Sequence, residues 1–505
     1  MTNAISNLKR GPIVASLIIA AFVAILAQTL LNIALPSIMK DLDVSENTAQ
    51  WLITGYMLVN GVLIPISAYL IERFTTRRLF IVAVSLFTIG TIVAGLAYSF
   101  PVLLTGRLIQ AAGAGILMPL MSIVFLTIFP VEERGKAMGM MGLAMIFAPA
   151  VGPTLSGWIV EHYSWRVLFY ILLPITVFAL IYGAYAMKNV TRNAKSKLDY
   201  TAVVLSTLGF GGILYGFSDA GTEGWNNATV YTTLIIGVVA LILFVWRELV
   251  VEKPILELRV FKFSMYSLTT VINVIVTMAM YSGMILLPLY LQTIRGFTPV
   301  ESGLLLLPGA ILMGIMSPIT GIIFDKIGAR WLAVVGLAIT VGTTYMLSNL
   351  EADTTYTALI TIYSFRMFGM SLLMMPIQTA GMNQLPQRLN AHGSAMQQTL
   401  RNVAGALGAA LLVTIMTNKT KEVVKELIIS TGTNPQDEAA MQPLQVQGMI
   451  DGINHSFVVA TWFAVVALVL AFFLKKVKPH EEKNVETAKN DDKAKATAQP
   501  AARRG

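Results

Sequence analysis

The chain has no cysteine among its 505 residues, so a disulfide framework, a thiol nucleophile and a cysteine-ligated metal are all excluded. Its four histidines, His162, His392, His455 and His480, lie far apart and offer no metal-ligand spacing. No HExxH, GxSxG or GxxxxGK[ST] pattern occurs, which disfavours a membrane-embedded enzyme and an ATP-driven pump. Charge is also scarce. Asp, Glu, Lys and Arg make up 12% of the residues, against about 25% in soluble domains. With 55% hydrophobic residues, the composition is that of an all-α polytopic membrane protein.

About fourteen segments reach spanning length, beginning near Ile13, Ala49, Leu79, Val102, Lys136, Trp165, Tyr200, Val230, Tyr266, Ser302, Trp331, Thr357, Ala395 and Ser456. The first, Ile13 to Leu35, is too long for a signal-peptide core and is expected to be retained. Of the 36 basic residues, two fall inside spans (Arg107, Arg366) and six in alternate loops (Lys40, Arg166, Arg295, Lys419, Lys421, Lys425). The rest lie on the side that holds both termini, so the positive-inside rule makes both termini cytoplasmic. The net charge of +9 then needs no nucleic acid to explain it. Residues 475–505, rich in Lys, Glu and Ala, read as a disordered cytoplasmic tail. An outer loop at 417–455 includes KEVVKELII, expected as a short amphipathic helix on the membrane surface.

The chain repeats itself. IPISAYLIERFTTRR at Ile64 to Arg78 matches SPITGIIFDKIGAR at Ser317 to Arg330, pairing Pro65 with Pro318, Ala68 with Gly321, Glu72 with Asp325, Arg73 with Lys326 and Arg77 with Arg330 at one offset of 253. LLNIALPSI at Leu30 to Ile38 likewise matches GMILLPLYL at Gly283 to Leu291, and Arg107 with Pro119 matches Arg366 with Pro376. Two duplicated halves are the build of many secondary transporters. A six-span unit should repeat after about 200 residues, and the excess matches two further spans between Tyr200 and Trp246. The expected organisation is an N-terminal segment 1–12, a six-helix half 13–190, two inserted spans 199–248 and a second six-helix half 264–474.

One stretch is unusual for a membrane helix. Gly135 to Trp158 carries Gly135, Gly139, Gly142, Gly152 and Gly157 together with Pro149 and Pro153. Ala148, Gly152 and Ser156 recur every fourth residue and form a smooth face that another helix can approach closely. The prolines each remove a backbone donor and bend the helix. Either plain small-residue packing or a sliding seal between two halves would use such a helix.

Arg107 lies about two turns into its span, near 9 Å by helical rise. Burying it there costs about 3 kcal/mol or more unless it snorkels or faces a polar cavity. Gln110 follows on roughly the same face. Other polar span residues, Gln28, Asn32, Asn273, Tyr281, Gln292, Gln378 and Asn383, could line one cavity with Arg366, and Met145, Met284, Met374 and Met375 offer it an adaptable wall. No Asp or Glu lies deep in any span. The nearest acids are at outer span ends: Glu161, Asp219 and Glu223.

These motifs together resemble the major facilitator superfamily over about Ile13 to Leu474, and within it the fourteen-span drug:proton antiporters of the EmrB/QacA type, the group that includes lincomycin-resistance proteins. The first-span signature Leu-Asp-x-Thr-Val-x-Asn-Val-Ala-Leu-Pro is similar to Leu26-Ala-Gln-Thr-Leu-Leu-Asn-Ile-Ala-Leu-Pro36. The loop motif Gly-x-x-x-Asp-Arg-x-Gly-Arg-Arg is degenerate at Ala68 to Arg77 and better kept at Gly321 to Arg330; Arg-x-x-Gln-Gly-x-Gly resembles Arg107 to Gly113. Ala148-Pro149, Gly152-Pro153 and Ser156-Gly157, followed by Trp165-Arg166, look like the antiporter motif of the fifth span.

The resemblance implies a secondary active multidrug exporter of a bacterial plasma membrane, with no cofactor and with protons as the coupling ion. It implies alternating access, with Glu72, Arg73, Arg77, Gly321, Asp325, Lys326 and Arg330 in gating loops and Pro149, Gly152, Pro153, Ser156 and Gly157 on a flexible helix. Proton coupling would fall to Arg107, Glu161 or Asp219. Ala27-Gln28 stands where many such antiporters carry a first-span aspartate, which disfavours a pocket for permanent dications and favours amphiphilic or lincosamide-like drugs. The expected partners are the bilayer, small amphiphilic drugs and protons, with the chain acting as a monomer. An exporter of a lipid, peptide or metabolite is the alternative reading.

Overall fold

The structure, a computed structural model, describes residues 9–190, 199–222, 224–252, 254–434 and 436–475. Glu223 and the tail beyond Lys475 lie outside the described residues. Among the described residues, fourteen helices are long and apolar enough to cross a membrane. They are α1 (Arg10–Leu42), α2 (Glu46–Arg73), α3 (Thr76–Gly95), α4 (Phe100–Ile128), α5 (Arg134–His162), α6 (Val167–Ala186), α7 (Tyr200–Thr222), α8 (Ala228–Val250), α9 (Ser264–Leu289), α10 (Pro299–Ile327), α11 (Ala329–Met346), α12 (Tyr356–Asn383), α13 (Asn390–Thr431) and α14 (Glu438–Ala471). The even number puts the two ends of the described chain on one face, called here the terminal face; the other is the far face.

Short polar residues start the helices because they satisfy amide donors that the first turn leaves free. Ser45, Thr75, Asn227, Thr355 and Asp437 each accept a backbone N–H of the following turn. Thr298 and Glu301 form a reciprocal capping box at α10. Inside the spans, Thr88, Thr91 and Thr340 return their hydroxyl hydrogens to the carbonyl one turn back, so each polar group is satisfied within its own helix.

One apolar cluster draws almost entirely on α1 to α6, and a second on α9 to α14. A third forms where Ile64 and Ala68 of α2 meet Ala202 and Phe210 of α7, Phe244 of α8, and Ala395 and Met396 of α13. Close backbone approach fixes α3 on α4. A Cβ on Gly106 would lie 2.6 Å from the Ala94 nitrogen, so only glycine fits there. In the second half, a Cβ on Gly336 would lie 2.6 Å from the Gly369 carbonyl, holding α11 on α12 in the same way.

Two expectations change. The segment 417–455 is not a loop carrying a separate surface helix: KEVVKELII continues α13, which runs 42 residues to Thr431, and α14 starts at Glu438. At 1.5 Å per residue α13 is about 63 Å long, roughly twice the hydrocarbon thickness, so the two helices project beyond the far face as a hairpin. Gly448 and Gly452 pack on Val424, Thr420 and Met416 there, and that intrahairpin packing competes successfully with the membrane surface. Arginine inside spans is also more frequent than expected. Arg401 sits eleven residues into α13, a third such residue beside Arg107 and Arg366.

Candidate functional site

Arg107 is the polar centre of the first half. It is 1% exposed and on the buried face of α4. Its guanidinium donates to the Ala27 carbonyl of α1 at 3.2 Å and to Gln110 Oε1 at 2.9 Å. Gln110 in turn donates to Thr91 of α3 at 2.8 Å. The guanidinium also stacks over the Tyr56 ring of α2 at 4.2 Å, a cation–π contact that desolvation strengthens. Three helices therefore meet on one side chain, and α3 joins them through Gln110. Every partner is neutral, so the charge is solvated by the protein and not cancelled.

Arg366 repeats the arrangement in the second half. It is 0% exposed and donates to Thr344 of α11 at 3.2 Å, to the Ala279 carbonyl of α9 at 2.9 Å and to Ser282 at 3.1 Å. Thr344 stands 253 positions after Thr91, the repeat offset. Gly283 leaves room for the guanidinium, since a Cβ there would collide with it. Among the described residues, neither arginine has an ion-pair partner, and one nitrogen of each, Nε of Arg107 and Nη1 of Arg366, makes no hydrogen bond.

The glycine-rich helix α5 uses two faces for two neighbours. Gly152 and Ser156 turn to α1: a Cβ on Gly152 would collide with Thr29, and the Ser156 hydroxyl donates to the Leu30 carbonyl at 2.5 Å. Gly135, Gly139, Gly142 and Gly157 turn to α10 of the other half, against Gly321, Ser317 and Val300. The four-residue stripe thus packs α5 within its own half, and the other glycines form the seam between halves. Pro149 and Pro153 lie within a helix assigned continuously from Arg134 to His162.

At the terminal face the repeated acids bridge the halves. The Asp325 carboxylate accepts the Gly135 N–H at 2.8 Å and the Lys136 N–H at 3.0 Å, which places a negative charge on the positive N-terminal end of α5. Its repeat mate Glu72 reaches the first turn of α13, where His392 Nε2 lies 2.9 Å from its carboxylate. Arg134 ties α5 to Asn383 of α12 and to the Leu126 carbonyl. Arg73, Arg77, Lys326 and Arg330 are exposed.

At the far face Asp41, after the first span, accepts Arg166 at 2.7 Å and Trp165 Nε1 at 3.0 Å, and Arg166 also donates to the Ala97 carbonyl. The Arg166 hydrogen bond, with that of Trp165, holds the Asp41 carboxyl below its ordinary range.

The remaining expected residues divide. Gln28, Asn273 and Tyr281 are half-buried, while Met374 and Gln378 are buried on α12. The side chains of Asn32 and Pro153 lie outside the described set. Tyr281 faces Gly405 of α13 and is an electrostatic neighbour of Arg401. Three residues stand apart from this interior. Gln292 is exposed on the π-helical turn after α9, Glu161 is exposed at the far end of α5, and Met284 is 44% exposed. Asp219 is half-buried near the far end of α7. Tyr56, Thr91, Arg401 and His392 were not legible as site residues. Of these only Arg401 carried a signal, a basic residue within a turn or two of a span start.

Comparison with known proteins places this architecture. The Major Facilitator Superfamily profile matches residues 17–409. The chain is 51% identical over 485 residues to the uncharacterized MFS-type transporter YhcA of Bacillus subtilis, covering 90% of this chain and 91% of that protein. It is 45% identical over 472 residues to the lincomycin resistance protein LmrB of the same organism, covering 93% and 97%. Among solved structures, the human organic anion transporter MFSD10 superposes with a TM-score of 0.63 at 11% identity, covering 91% of this chain and 99% of that one, a likeness of fold alone. A paired set of six-helix clusters, a buried arginine in each and glycine contacts between them fit that result, and the chain belongs to the Major Facilitator Superfamily of multi-pass membrane transporters.

Proposed function

We propose that the chain is a secondary active drug exporter that exchanges drug for protons by alternating access, with its terminal face cytoplasmic in a bacterial plasma membrane and six-helix halves on either side of α7 and α8. The observation that carries this reading is the 43–45% identity to lincomycin resistance proteins over 92–93% of the chain. Arg107, Arg366 and Arg401 bring positive charge to the interior, and no ion pair neutralises them among the described residues. A permanent cation would be repelled there, whereas an amphiphilic, uncharged or weakly basic drug of lincosamide type would not. Arg107 is the coupling residue best placed by its contacts, because moving α1 or α2 against α4 must exchange its hydrogen bond to Ala27 or its stacking on Tyr56. Glu161 and Asp219 serve, in this reading, at the far-face end of the proton route.

The test uses inside-out proteoliposomes with an acid lumen, to which lincomycin and then cationic dyes are added. Lincomycin-dependent proton efflux, reduced to the protein-free background in Arg107→Ala, is the expected result. Folded protein that answers no compound would overturn the drug reading in favour of a lipid, peptide or metabolite carrier.

A further inference from the structure

His392 is 6% exposed at the start of α13, and both of its ring nitrogens are engaged. The Glu257 backbone N–H points at Nδ1 from 3.2 Å. A backbone N–H can only donate, so Nδ1 is the acceptor and the ring proton sits on Nε2, facing the Glu72 carboxylate at 2.9 Å. The imidazole therefore links three parts of the fold: α2 of the first half, α13 of the second, and the segment after α8. Beside it, Glu248 of α8 is 2% exposed and accepts the Leu256 N–H at 2.9 Å.

The repeat makes this arrangement informative. In the mate latch Asp325 meets backbone amides, which do not titrate; here Glu72 meets a side chain that does. The other charges around the ring are Glu257 with Arg259 in the connecting segment, Arg388 in the turn before α13, and the Asp199–Arg247 ion pair at the adjoining ends of α7 and α8.

We propose that His392 and Glu72 form a proton-binding site whose occupancy is tied to closure of the α2–α13 seam. This inference rests on the alternating-access reading. A proton from solution, reached past the partly exposed Glu72, adds to Nδ1. Only the hydrogen bond from the Glu257 N–H breaks, and the net charge of the pair rises by one. The link to Glu72, already accepted by a carboxylate, gains the positive charge of an imidazolium and becomes an ion pair. Opening the seam separates the two groups, and the proton returns to the terminal-face solution. Acid on that face therefore favours closure, and opening releases a proton.

The absence of cysteine provides the test. Arg78→Cys on α3 and Gln387→Cys before α13, both exposed, carry spin labels on full-length protein in lipid nanodiscs, and their distance distribution is read without any drug. On acidification from about pH 8 to about pH 5 the ratio of closed to open protein should rise about threefold or more. His392→Gln can still donate to Glu72 and accept from Glu257, so it should fold while losing the response. Glu72→Gln should lose it as well. A wild-type ratio that is flat or falls with acid, or an unchanged response in His392→Gln, would overturn the site. Because no cargo is used, failure of the drug reading would not produce either result.

Discussion

Two seams join the halves, and by the sequence repeat they should be mates: α5 against α10, and α2 against α13. They are built differently. The α5–α10 seam sets glycine against backbone near the terminal face, Gly135 and Gly139 on Gly321 and Ser317, and glycine against a side chain near the far face, Gly157 on Val300 and Gly303 on Thr154. The span from Gly135 to Gly157 covers about 33 Å by helical rise, so the zipper runs the thickness of a bilayer core. The α2–α13 seam closes only at its terminal end, through Ile64, Ala68, Ala395 and Met396. Towards the far face α7 stands between the two helices. Trp51 stacks on Tyr215 at 5.6 Å and Thr54 meets Ser218 on one side, while on the other Ala220 packs with Ala410 of α13, and Trp225, in the turn after α7, donates to Thr414 at 2.6 Å. One seam is thus a direct contact that depends on having no side chains, and the other is mediated by an inserted helix whose side chains can adjust.

That contrast orders the expected effects. Gly135→Val should be the most damaging, because its Cβ would lie within 3 Å of the Gly321 carbonyl and the Asp325 carboxylate. Overpacking of about 1–3 kcal/mol at a seam that must close would lower drug transport roughly 10- to 100-fold, read as initial uptake in inside-out vesicles. Asp325→Asn keeps one oxygen acceptor where the carboxylate uses Oδ1 for the Gly135 amide and Oδ2 for the Lys136 amide, and it loses the charge at the α5 N-terminus, so a fall of about fivefold is expected in the same assay. At the other seam, Gly61→Ala meets only the end of Leu214, a flexible side chain on α7, and transport should stay within about twofold of wild type. A severe loss in Gly61→Ala would erase the distinction between the seams.

The smallest effect belongs to a contact outside both. Asp41 is held below its ordinary carboxyl pKa of 3.8 by Arg166, so the pair contributes its stability at neutral pH and loses it as pH falls through the lowered value. Thermal unfolding of wild type and Asp41→Asn should differ by a constant small amount from pH 7 to about pH 5 and converge below about pH 4.

Much of the scaffold was legible because apolar runs of spanning length need no tertiary information, and the offset of 253 pairs Glu72 with Asp325 in sequence alone. Arg107 was legible for the same reason, as a charge where hydrocarbon is expected. The hairpin beyond the far face was not, since Lys419, Lys421 and Lys425 read as outer-loop charges while glycine packing on the partner helix decides their structure. His392 was illegible in principle: its meaning comes from Glu72, 320 residues away, and from a backbone amide that carries no sequence signature. Arg401 stood too near a span start to be separated from the charges that set topology.

The most direct test of the account is to forbid the α5–α10 seam from opening at the terminal face. Cysteines at Lys136 and Ile322, both exposed there, can be bridged by a bifunctional maleimide in a chain that has no other thiol. Alternating access predicts that the bridged protein stops exporting drug while each singly labelled variant continues. Export at the unbridged rate by fully bridged protein would contradict it.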